Sequence, residues 1–562
     1  MAGGSQPLDS TQATRFRQAL GLLQSGQAVE ALAIAQDLAR EAPRAADAWQ
    51  LMGMCLAETG RRQEADEAFE RALALSPGNP VVSRNYGVSL ARHGKHLRGQ
   101  GDWEAAEPVL RRALALSAGQ PSAWVDLGVV LRELGRIDEA LVALRRAADL
   151  LHQRGASEPG VEDAINGVLA DAGRTEEALA GARRLVALHP DHAPAHETLA
   201  SLLWDNGDDD SSPGEDPFAA FRAAARAQPD NAGLQLAFAR RLLAARRAEE
   251  ALDLVQRLRQ RDPGNPMLQW FAASALDALG RIDQAAGLYS DVARGELGDQ
   301  PEFLNAYARH SFRSRRFELA ATCASKVVAV DPHNQEGWSH LGTAWRLAGD
   351  GREHWLHDYE RLVGYVEIEP PPGYGDLQTF LQELRATLDA LHTARREPLS
   401  QSVRGGTQTA GQLFGRSDPL IKAAQEALRA AVERWVATLP DDAAHPFLSR
   451  RRRSVRFVGS WSVRLAAEGR HSSHIHPKGW ASSAFYVSLP DSVLAAGPAS
   501  QSGWLQLGQP LEELGLDLPP RRVIPPQPGH LALFPSYTWH GTVPFDDRQS
   551  RLTIAFDMQP RP

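Results

Sequence analysis

The stretch AWQLMGMCLAETGRRQEADEAFERALALSP, residues 48–77, decides the fold of the N-terminal part of the chain. It returns as AWVDLGVVLRELGRIDEALVALRRAAD at residues 123–149, with identical steps of four residues from tryptophan to glycine, twelve from that glycine to alanine, and seven to the next alanine. A repeat that keeps its phase predicts a stack of identical units, none of which buries its apolar face alone. Further copies of the frame contain Ala31, Ala178, Ala251, Ala285, Ala320 and Trp338.

Each unit is predicted to be a helix, a turn and a second helix. Small residues such as Gly53 and Ala65 are expected where the two helices cross, because a large side chain there would push them apart. Trp49, Trp124 and Trp338 are expected to be buried. We predict eight or nine units between about residues 12 and 350, stacked into a right-handed superhelix.

This pattern closely resembles the tetratricopeptide repeat, a helix-turn-helix unit of about 34 residues. The resemblance implies a solenoid that binds a protein or peptide partner, but it identifies no particular ligand. No nucleic-acid partner is expected because the net charge is −8, and no membrane partner is expected because no run approaches the ~18 apolar residues of a membrane span. The sequence does not indicate an oligomeric state.

Cysteine usage and the first residues bear on the compartment. Cys55 and Cys323 lie far apart without metal-ligand spacing, which excludes a disulfide framework and a zinc ribbon. The start, MAGGSQPLDSTQATRF, lacks the apolar core of a signal peptide. We therefore expect a cytoplasmic protein, and we predict that residues 1–11 form a disordered N-terminus.

From Ser454 onward the sequence changes to short β-rich runs separated by turns. These runs predict a double-sheet β-sandwich or jelly roll. Upstream, residues 401–415 are predicted to form a loop, since they are rich in glycine and threonine, and residues 420–439 to form an amphipathic helix. The β-rich runs are SVRFVGSWSVRLA, ASSAFYVSLP, GWLQL, HLALFPS and RLTIAFDM.

The chain of 562 residues is long enough for several domains. We predict an α+β multidomain protein, with an N-terminal all-α tetratricopeptide-repeat superhelix and a C-terminal double-stranded β-helix (jelly roll) with flanking helices. The predicted boundaries are a repeat solenoid over residues 12–351, a helical linker over 352–400 and the jelly-roll domain over 401–562.

A histidine cluster lies in the β-rich part, in GRHSSHIHPKGW at residues 469–480. His474 and His476 are two residues apart, so on an extended strand they point to the same face. His540 follows 64 residues after His476. Three neutral imidazoles suit iron, copper, nickel or zinc. Clustered histidines are also found as surface or satisfied core residues, and His471 is expected to be exposed.

The runs HIHPKGW…SSAFYVSLP and PGHLALFPSYTWHGTVPF…RQSRLTIAF resemble the 2-oxoglutarate/iron(II) oxygenase family that often accompanies tetratricopeptide repeats, over about residues 390–562. The resemblance implies that His474, His476 and His540 are the iron(II) ligands. It also implies that Arg551 pairs with the distal carboxylate of 2-oxoglutarate, for which a guanidinium fork is suited. Candidates for further contacts to the co-substrate are Tyr486 and Arg464, for which ordinary strand packing is the alternative.

The chain departs from the broad oxygenase superfamily at His476, which replaces the usual carboxylate of the metal site. The resemblance implies a 2-oxoglutarate-dependent dioxygenase, a hydroxylase acting on a protein or peptide recruited by the repeats. It implies no catalytic residues beyond the metal ligands. Two alternatives remain open. One is a three-histidine, cupin-like dioxygenase that does not use 2-oxoglutarate, and the other is a non-enzymatic repeat scaffold for protein–protein interaction.

Overall fold

The computed structural model describes residues 5–207, 215–399 and 401–561, and the chain divides into two compact units, residues 1–168 and 169–562. In the described residues, nineteen helices follow one another between residues 10 and 348, and most consecutive helices pack together. They are α1 (Ser10–Gln24), α2 (Ala28–Glu41), α3 (Ala46–Glu58), α4 (Arg62–Leu75), α5 (Pro80–Gly99), α6 (Trp103–Leu116), α7 (Pro121–Glu133), α8 (Ile137–His152), α9 (Pro159–Asp171), α10 (Thr175–Leu188), α11 (Ala193–Asn206), α12 (Ala219–Ala227), α13 (Ala232–Ala244), α14 (Ala248–Arg261), α15 (Pro266–Ala278), α16 (Ile282–Ala293), α17 (Pro301–Arg313), α18 (Phe317–Val330) and α19 (Gln335–Ala348).

Small residues lie at the helix crossings, as predicted. A Cβ atom added to Gly53 of α3 would lie 2.8 Å from the Phe69 ring of α4, closer than van der Waals contact allows. A Cβ atom added to Gly128 of α7 would lie 2.6 Å from the Leu144 side chain of α8. Ala65 is also buried. The spacing of the repeat therefore reflects the close approach of paired helices.

The three repeat tryptophans are half-buried, so the prediction that they are buried was wrong. In Trp49, Trp124 and Trp338 the indole Nε1 donates a hydrogen bond to the backbone carbonyl six residues earlier, over 2.8–3.0 Å. Each acceptor belongs to the turn that precedes the helix. The polar edge of the ring is held at that turn because the indole N–H needs an acceptor, and this leaves part of the ring exposed.

The described part of the N-terminus is ordered. Asp9 caps α1 by accepting a hydrogen bond from the Gln12 backbone N–H, and Gln12 returns a bond to the backbone of Asp9. The Ser5 hydroxyl accepts a hydrogen bond from the Ala46 backbone N–H over 3.0 Å. The predicted disorder was therefore wrong for residues 5–11, while residues 1–4 lie outside the described residues. The capping box is the signal that identifies this helix start.

The C-terminal part contains two antiparallel sheets. The six-stranded sheet has the order β1-β7-β4-β9-β3-β2, and the three-stranded sheet has the order β6-β5-β8. The five predicted β-rich runs form β3, β4, β5, β7 and β9, which confirms them. The strands are β1 (Gly364–Glu367), β2 (Val403–Gln408), β3 (Val455–His471), β4 (Ala481–Ser488), β5 (Leu505–Leu507), β6 (Arg522–Ile524), β7 (His530–Pro535), β8 (His540–Thr542) and β9 (Arg551–Pro560), and the accompanying helices are α20 (Arg352–Leu356), α21 (Leu377–Leu391), α22 (Pro419–Thr438) and α23 (Asp491–Leu494).

The predicted loop at residues 401–415 is partly a strand, because β2 pairs with β3 there. The pairing shifts at Gly405, whose φ of +64° favours glycine. A Cβ atom on Gly406 would lie 2.5 Å from the Arg464 carbonyl oxygen. The two glycines therefore permit a β-bulge and a close backbone approach inside the sheet, and were misinterpreted as loop formers.

The predicted linker at residues 352–400 belongs to the sheet region. It contains β1, which pairs with β7, and α21, which packs against β4. Four residues are too few for the alternation of a strand to be visible in the sequence. Leu341 and Trp345 of α19 share one apolar core with strand residues such as Ile554. The predicted boundary at residue 351 therefore does not separate two cores.

Candidate metal centre

The backbone brings two histidine segments together. His474 lies just after β3, and His540 begins β8. The two residues exchange a pair of backbone hydrogen bonds, each 3.0 Å long, so their imidazole centroids are only 4.1 Å apart. The His476 backbone N–H donates to the Ser536 carbonyl over 3.1 Å. This pairing fixes the register that places all three rings on one side.

His474, His476 and His540 converge, as the sequence predicts. Each offers one ring nitrogen within 4.8 Å of those of the other two, and the Nε2 atoms of His474 and His476 are 3.0 Å apart. No metal is part of the structure, so the fit of a metal is judged from the donors. Three neutral imidazole nitrogens at this spacing suit a borderline divalent metal of the first transition row.

The Nδ1 atom of each histidine lies next to a hydrogen-bond acceptor. His474 Nδ1 lies 2.9 Å from the Ser472 carbonyl oxygen, and His540 Nδ1 lies 3.0 Å from the Thr538 carbonyl oxygen. His476 Nδ1 lies 2.5 Å from a carboxylate oxygen of Asp557. These acceptors place the proton on Nδ1 and leave the Nε2 lone pair free for a metal.

The electrostatics favour neutral rings. Burial lowers the pKa of His474 and of His540 well below the ordinary histidine value, and the neighbouring histidines lower the pKa of each further. Both rings are therefore unprotonated at neutral pH. Since an imidazolium ion cannot donate a lone pair, this state is the one required for metal binding.

The three histidines line a cavity of about 220 Å³. Its opposite wall is one face of β9, on which Arg551, Thr553, Ala555 and Asp557 follow one another at the spacing of two expected of a strand. Trp461 forms another wall, with its ring 5.5 Å from the His476 ring. The cavity therefore places three converging imidazoles opposite a buried arginine.

Arg551 is only 1 % exposed, and its Nε and Nη1 atoms have no hydrogen-bond partner among the described residues. Tyr486 is fully buried beside it, with 5.2 Å between the guanidinium carbon and the phenol ring centre. Within the described chain the Tyr486 hydroxyl also lacks a partner at hydrogen-bond geometry. Burying unpaired donors is costly, and Arg551 lines the cavity, so its guanidinium fits an anion with several acceptor atoms, such as a carboxylate. Tyr486 packs against Arg551 but does not itself line the cavity.

Arg464 is not part of this site, and its predicted contact with the co-substrate is corrected. It lies outside the cavity lining, one-third exposed, and its Nη1 is 3.8 Å from a carboxylate oxygen of Asp389 on α21. Arg464 and the cavity-lining Trp461 are three residues apart on β3, an odd step that places them on opposite faces. Alternation along the strand predicts this placement.

His471 lines the cavity, so the expectation that it is exposed was wrong. The Ser402 hydroxyl lies 3.0 Å from His471 Nδ1 and 3.2 Å from His474 Nε2. Burial, with a smaller contribution from the charge of Arg551, lowers the pKa of His471 to about 3. The role of Ser402 was missed because it lies in the segment 401–415 that was interpreted as a loop, and no sequence signal connects it with the histidines.

Repeat helices pack against the segments that carry the three histidines. Ile475 and Trp539, which neighbour the converging histidines, pack in one apolar cluster with Phe312 of α17 and Ala344 of α19. The Trp539 indole N–H donates to the Thr343 hydroxyl of α19 over 3.0 Å, and both residues are buried. The ligand segments are therefore braced by the last repeat helices.

Comparisons of the sequence with protein families give matches in both parts of the chain. Residues 459–557 match the family described as "Putative 2OG-Fe(II) oxygenase". Three families described as tetratricopeptide repeats match residues 46–79, 92–158 and 242–310. No curated protein matches the chain. In the described residues, no helix is both long and apolar enough to span a membrane.

Solved structures similar to part of the chain include MamA and YrrB. MamA residues 41-end from Desulfovibrio magneticus RS-1 is 19 % identical, covers 33 % of this chain and 99 % of its own, and has a TM-score of 0.27. YrrB, described as a TPR protein with an unusual peptide-binding site, is 22 % identical, covers 33 % of this chain and 89 % of its own, and has a TM-score of 0.26. The family matches identify a chain that carries tetratricopeptide repeats followed, at residues 459–557, by a domain of the family described as "Putative 2OG-Fe(II) oxygenase".

Proposed function

We propose that this protein is an iron(II)- and 2-oxoglutarate-dependent dioxygenase that hydroxylates a protein or peptide recruited by its repeats. In this proposal His474, His476 and His540 hold the metal, and Arg551, with Tyr486 packed beside it, binds the distal carboxylate of 2-oxoglutarate. One observation carries the proposal. A single cavity contains three converging imidazole nitrogens together with a buried guanidinium whose Nε and Nη1 have no partner in the described residues.

The protein's own contribution is positioning and charge. The acceptors behind the three rings hold the Nε2 lone pairs toward one point. Arg551 offers a planar fork of N–H groups that pairs with a carboxylate bidentately, and the buried Tyr486 ring packs beside the guanidinium. When bound, iron and 2-oxoglutarate supply the oxidising chemistry that the side chains lack.

A polypeptide substrate is supported by the repeats, because stacked helix pairs present an extended surface to a partner chain. A cavity of about 220 Å³ limits the reacting part of the substrate to a side chain or a group of similar size. We place the protein in the cytoplasm, where thiols stay reduced. Cys55 and Cys323 are both free, and burial raises the pKa of each to about 11.

A three-histidine dioxygenase that does not use 2-oxoglutarate is the second candidate. It is favoured by the ligand set, since none of the three converging residues is a carboxylate. Arg551 argues against it, because that reaction requires no buried cation with free N–H groups. A non-enzymatic repeat scaffold would not require the three histidines to converge.

Oxygen consumption by the full-length protein tests the proposal. The protein is purified without oxygen, loaded with Fe(II), and supplied with oxygen in the presence or absence of 2-oxoglutarate. We expect consumption that depends on both the metal and 2-oxoglutarate. Consumption without 2-oxoglutarate, in the presence of a substrate, supports the three-histidine alternative. Failure to retain any divalent metal supports the scaffold alternative.

A further inference from the structure

The three histidines are not equivalent. His474 and His540 rest on neutral backbone carbonyl groups, whereas His476 rests on the carboxylate of Asp557. His476 is also the residue that stands where related metal sites have a carboxylate ligand. His476, which departs from the usual ligand pattern, is therefore the histidine whose Nδ1 atom lies next to a carboxylate.

Asp557 is fixed by its surroundings. It is 8 % exposed, and its Oδ1 atom accepts a hydrogen bond from the Ser482 hydroxyl over 2.7 Å as well as the bond with His476. Ser482 in turn lies 2.8 Å from the Ser536 hydroxyl. The carboxylate approaches the Nδ1 side of His476, away from the Nε2 atom that faces the other histidines. Asp557 is therefore placed to act through the ring and not as a ligand.

We infer that Asp557 supplies, through His476, the negative charge that a three-histidine ligand set lacks. A carboxylate that accepts the Nδ1–H bond increases the electron density on the imidazole and makes Nε2 a stronger donor. The inference deepens the proposed function and rests on its metal site. It assigns Asp557 as a positioning residue, which orients His476 and tunes the charge at the metal without contacting it.

The test measures metal binding in the full-length protein. Asp557→Asn keeps the size of the side chain and removes its charge, whereas Ser482→Ala removes a hydrogen bond to the same carboxylate and keeps the charge. Dissociation constants for Co(II) and Fe(II) are measured without oxygen by competition with a chelator. We expect Asp557→Asn to weaken binding by about 10- to 100-fold, the usual effect of losing such a partner. Ser482→Ala is expected to bind metal nearly as tightly as the wild type.

The reduction potential of the bound iron gives a readout that a purely structural role does not change. Removing a negative charge near the metal destabilises Fe(III) relative to Fe(II), so Asp557→Asn should raise the potential while Ser482→Ala should not. Unchanged metal affinity and unchanged potential in a folded Asp557→Asn variant would overturn the inference.

Introducing Asp557→Asn into a His476→Asp variant distinguishes a role of Asp557 in supplying charge from a role in packing. His476→Asp gives the metal its own carboxylate, and Asp557→Asn added to it is then expected to cost no affinity. If Asp557→Asn lowers metal affinity equally in the wild type and in His476→Asp, Asp557 has a packing role and the inference is overturned. If Asp557→Asn alone does not fold, the double variant compared with His476→Asp gives the answer. Tight metal binding without 2-oxoglutarate turnover in the wild type contradicts the proposed function and leaves this inference standing, whereas a wild type that binds no metal ends both.

Discussion

Replacing Arg551 with lysine separates the proposed function from its closest alternative. The side chain is 1 % exposed, and its Nε and Nη1 atoms have no partner among the described residues, so these donors are available to the co-substrate. Lysine keeps a positive charge but lacks the planar fork that meets a carboxylate bidentately. Losing one partner of a buried charge-assisted pair costs ~2–5 kcal/mol. Since lysine retains the charge, we expect the lower end, about 2 kcal/mol, or roughly 30-fold in the dissociation constant of 2-oxoglutarate.

The assay is a calorimetric titration of 2-oxoglutarate into metal-loaded protein without oxygen. Arg464→Lys is the matched control, because Arg464 lies on the neighbouring strand but outside the cavity, near Asp389. We expect this control to bind 2-oxoglutarate like the wild type, and both variants to keep their metal. Wild-type affinity for 2-oxoglutarate in Arg551→Lys would refute the assignment of this arginine.

Three further predictions concern ligation, bracing and pH. His540→Ala removes one of three converging donors and should abolish tight Co(II) binding while circular dichroism stays unchanged; retained binding would contradict the site. Thr343→Val leaves the buried Trp539 indole N–H without its acceptor and should lower the free energy of unfolding by about 1–3 kcal/mol, whereas Thr322→Val, at an exposed position, should not. Burial lowers the pKa of His392 to about 4 from its ordinary 6.5, so the unfolded chain binds a proton between these pH values and the folded chain does not. Acidification from pH 6.5 to pH 4 should therefore lower the free energy of unfolding by about 3 kcal/mol through this residue. In chemical denaturation, the free energy of unfolding of His392→Gln should fall less over this pH range than that of the wild type, and an equal fall would contradict the prediction.

The helical repeat could be predicted from the sequence because many units agree in phase. Gly53 and Gly128 are diagnostic, since each faces a side chain that leaves no room for a Cβ atom. The half-exposure of Trp49 could not be predicted from the pattern, because it depends on a hydrogen bond to a turn carbonyl. Strand β2 was missed because Gly405 and Gly406, which normally indicate loops, serve a bulge and a close contact here.

The candidate site was partly predictable for a similar reason. Residues that share a strand face could be placed from their spacing, so the convergence of His474 and His476 followed from a step of two. The same rule, applied to β9, relates Asp557 to Arg551 by a step of six, and applied to β3 it excludes Arg464. Contacts between distant segments, such as Ser402 with His471, depend on chain pairing that spacing does not encode.

The bracing of the ligand segments by α17 and α19 was also outside the reach of the sequence. When each part of the sequence is judged by its own periodicity, the predicted boundary falls after the last repeat. Trp539 and Ile475 carry no repeat signal, and only the folded chain shows that they pack on Phe312 and Ala344. The last repeat helices therefore contribute packing surface to the segments that carry the three histidines.

Succinate formation is the measurement that tests the proposed activity most directly. The full-length protein, loaded with Fe(II) and 2-oxoglutarate, is exposed to oxygen, and succinate is quantified against wild-type protein without metal and against His540→Ala. We expect succinate from the loaded wild type alone. Equal succinate in the absence of metal, or oxygen consumption by the loaded wild type with 2-oxoglutarate left intact, would contradict a 2-oxoglutarate-dependent oxygenase.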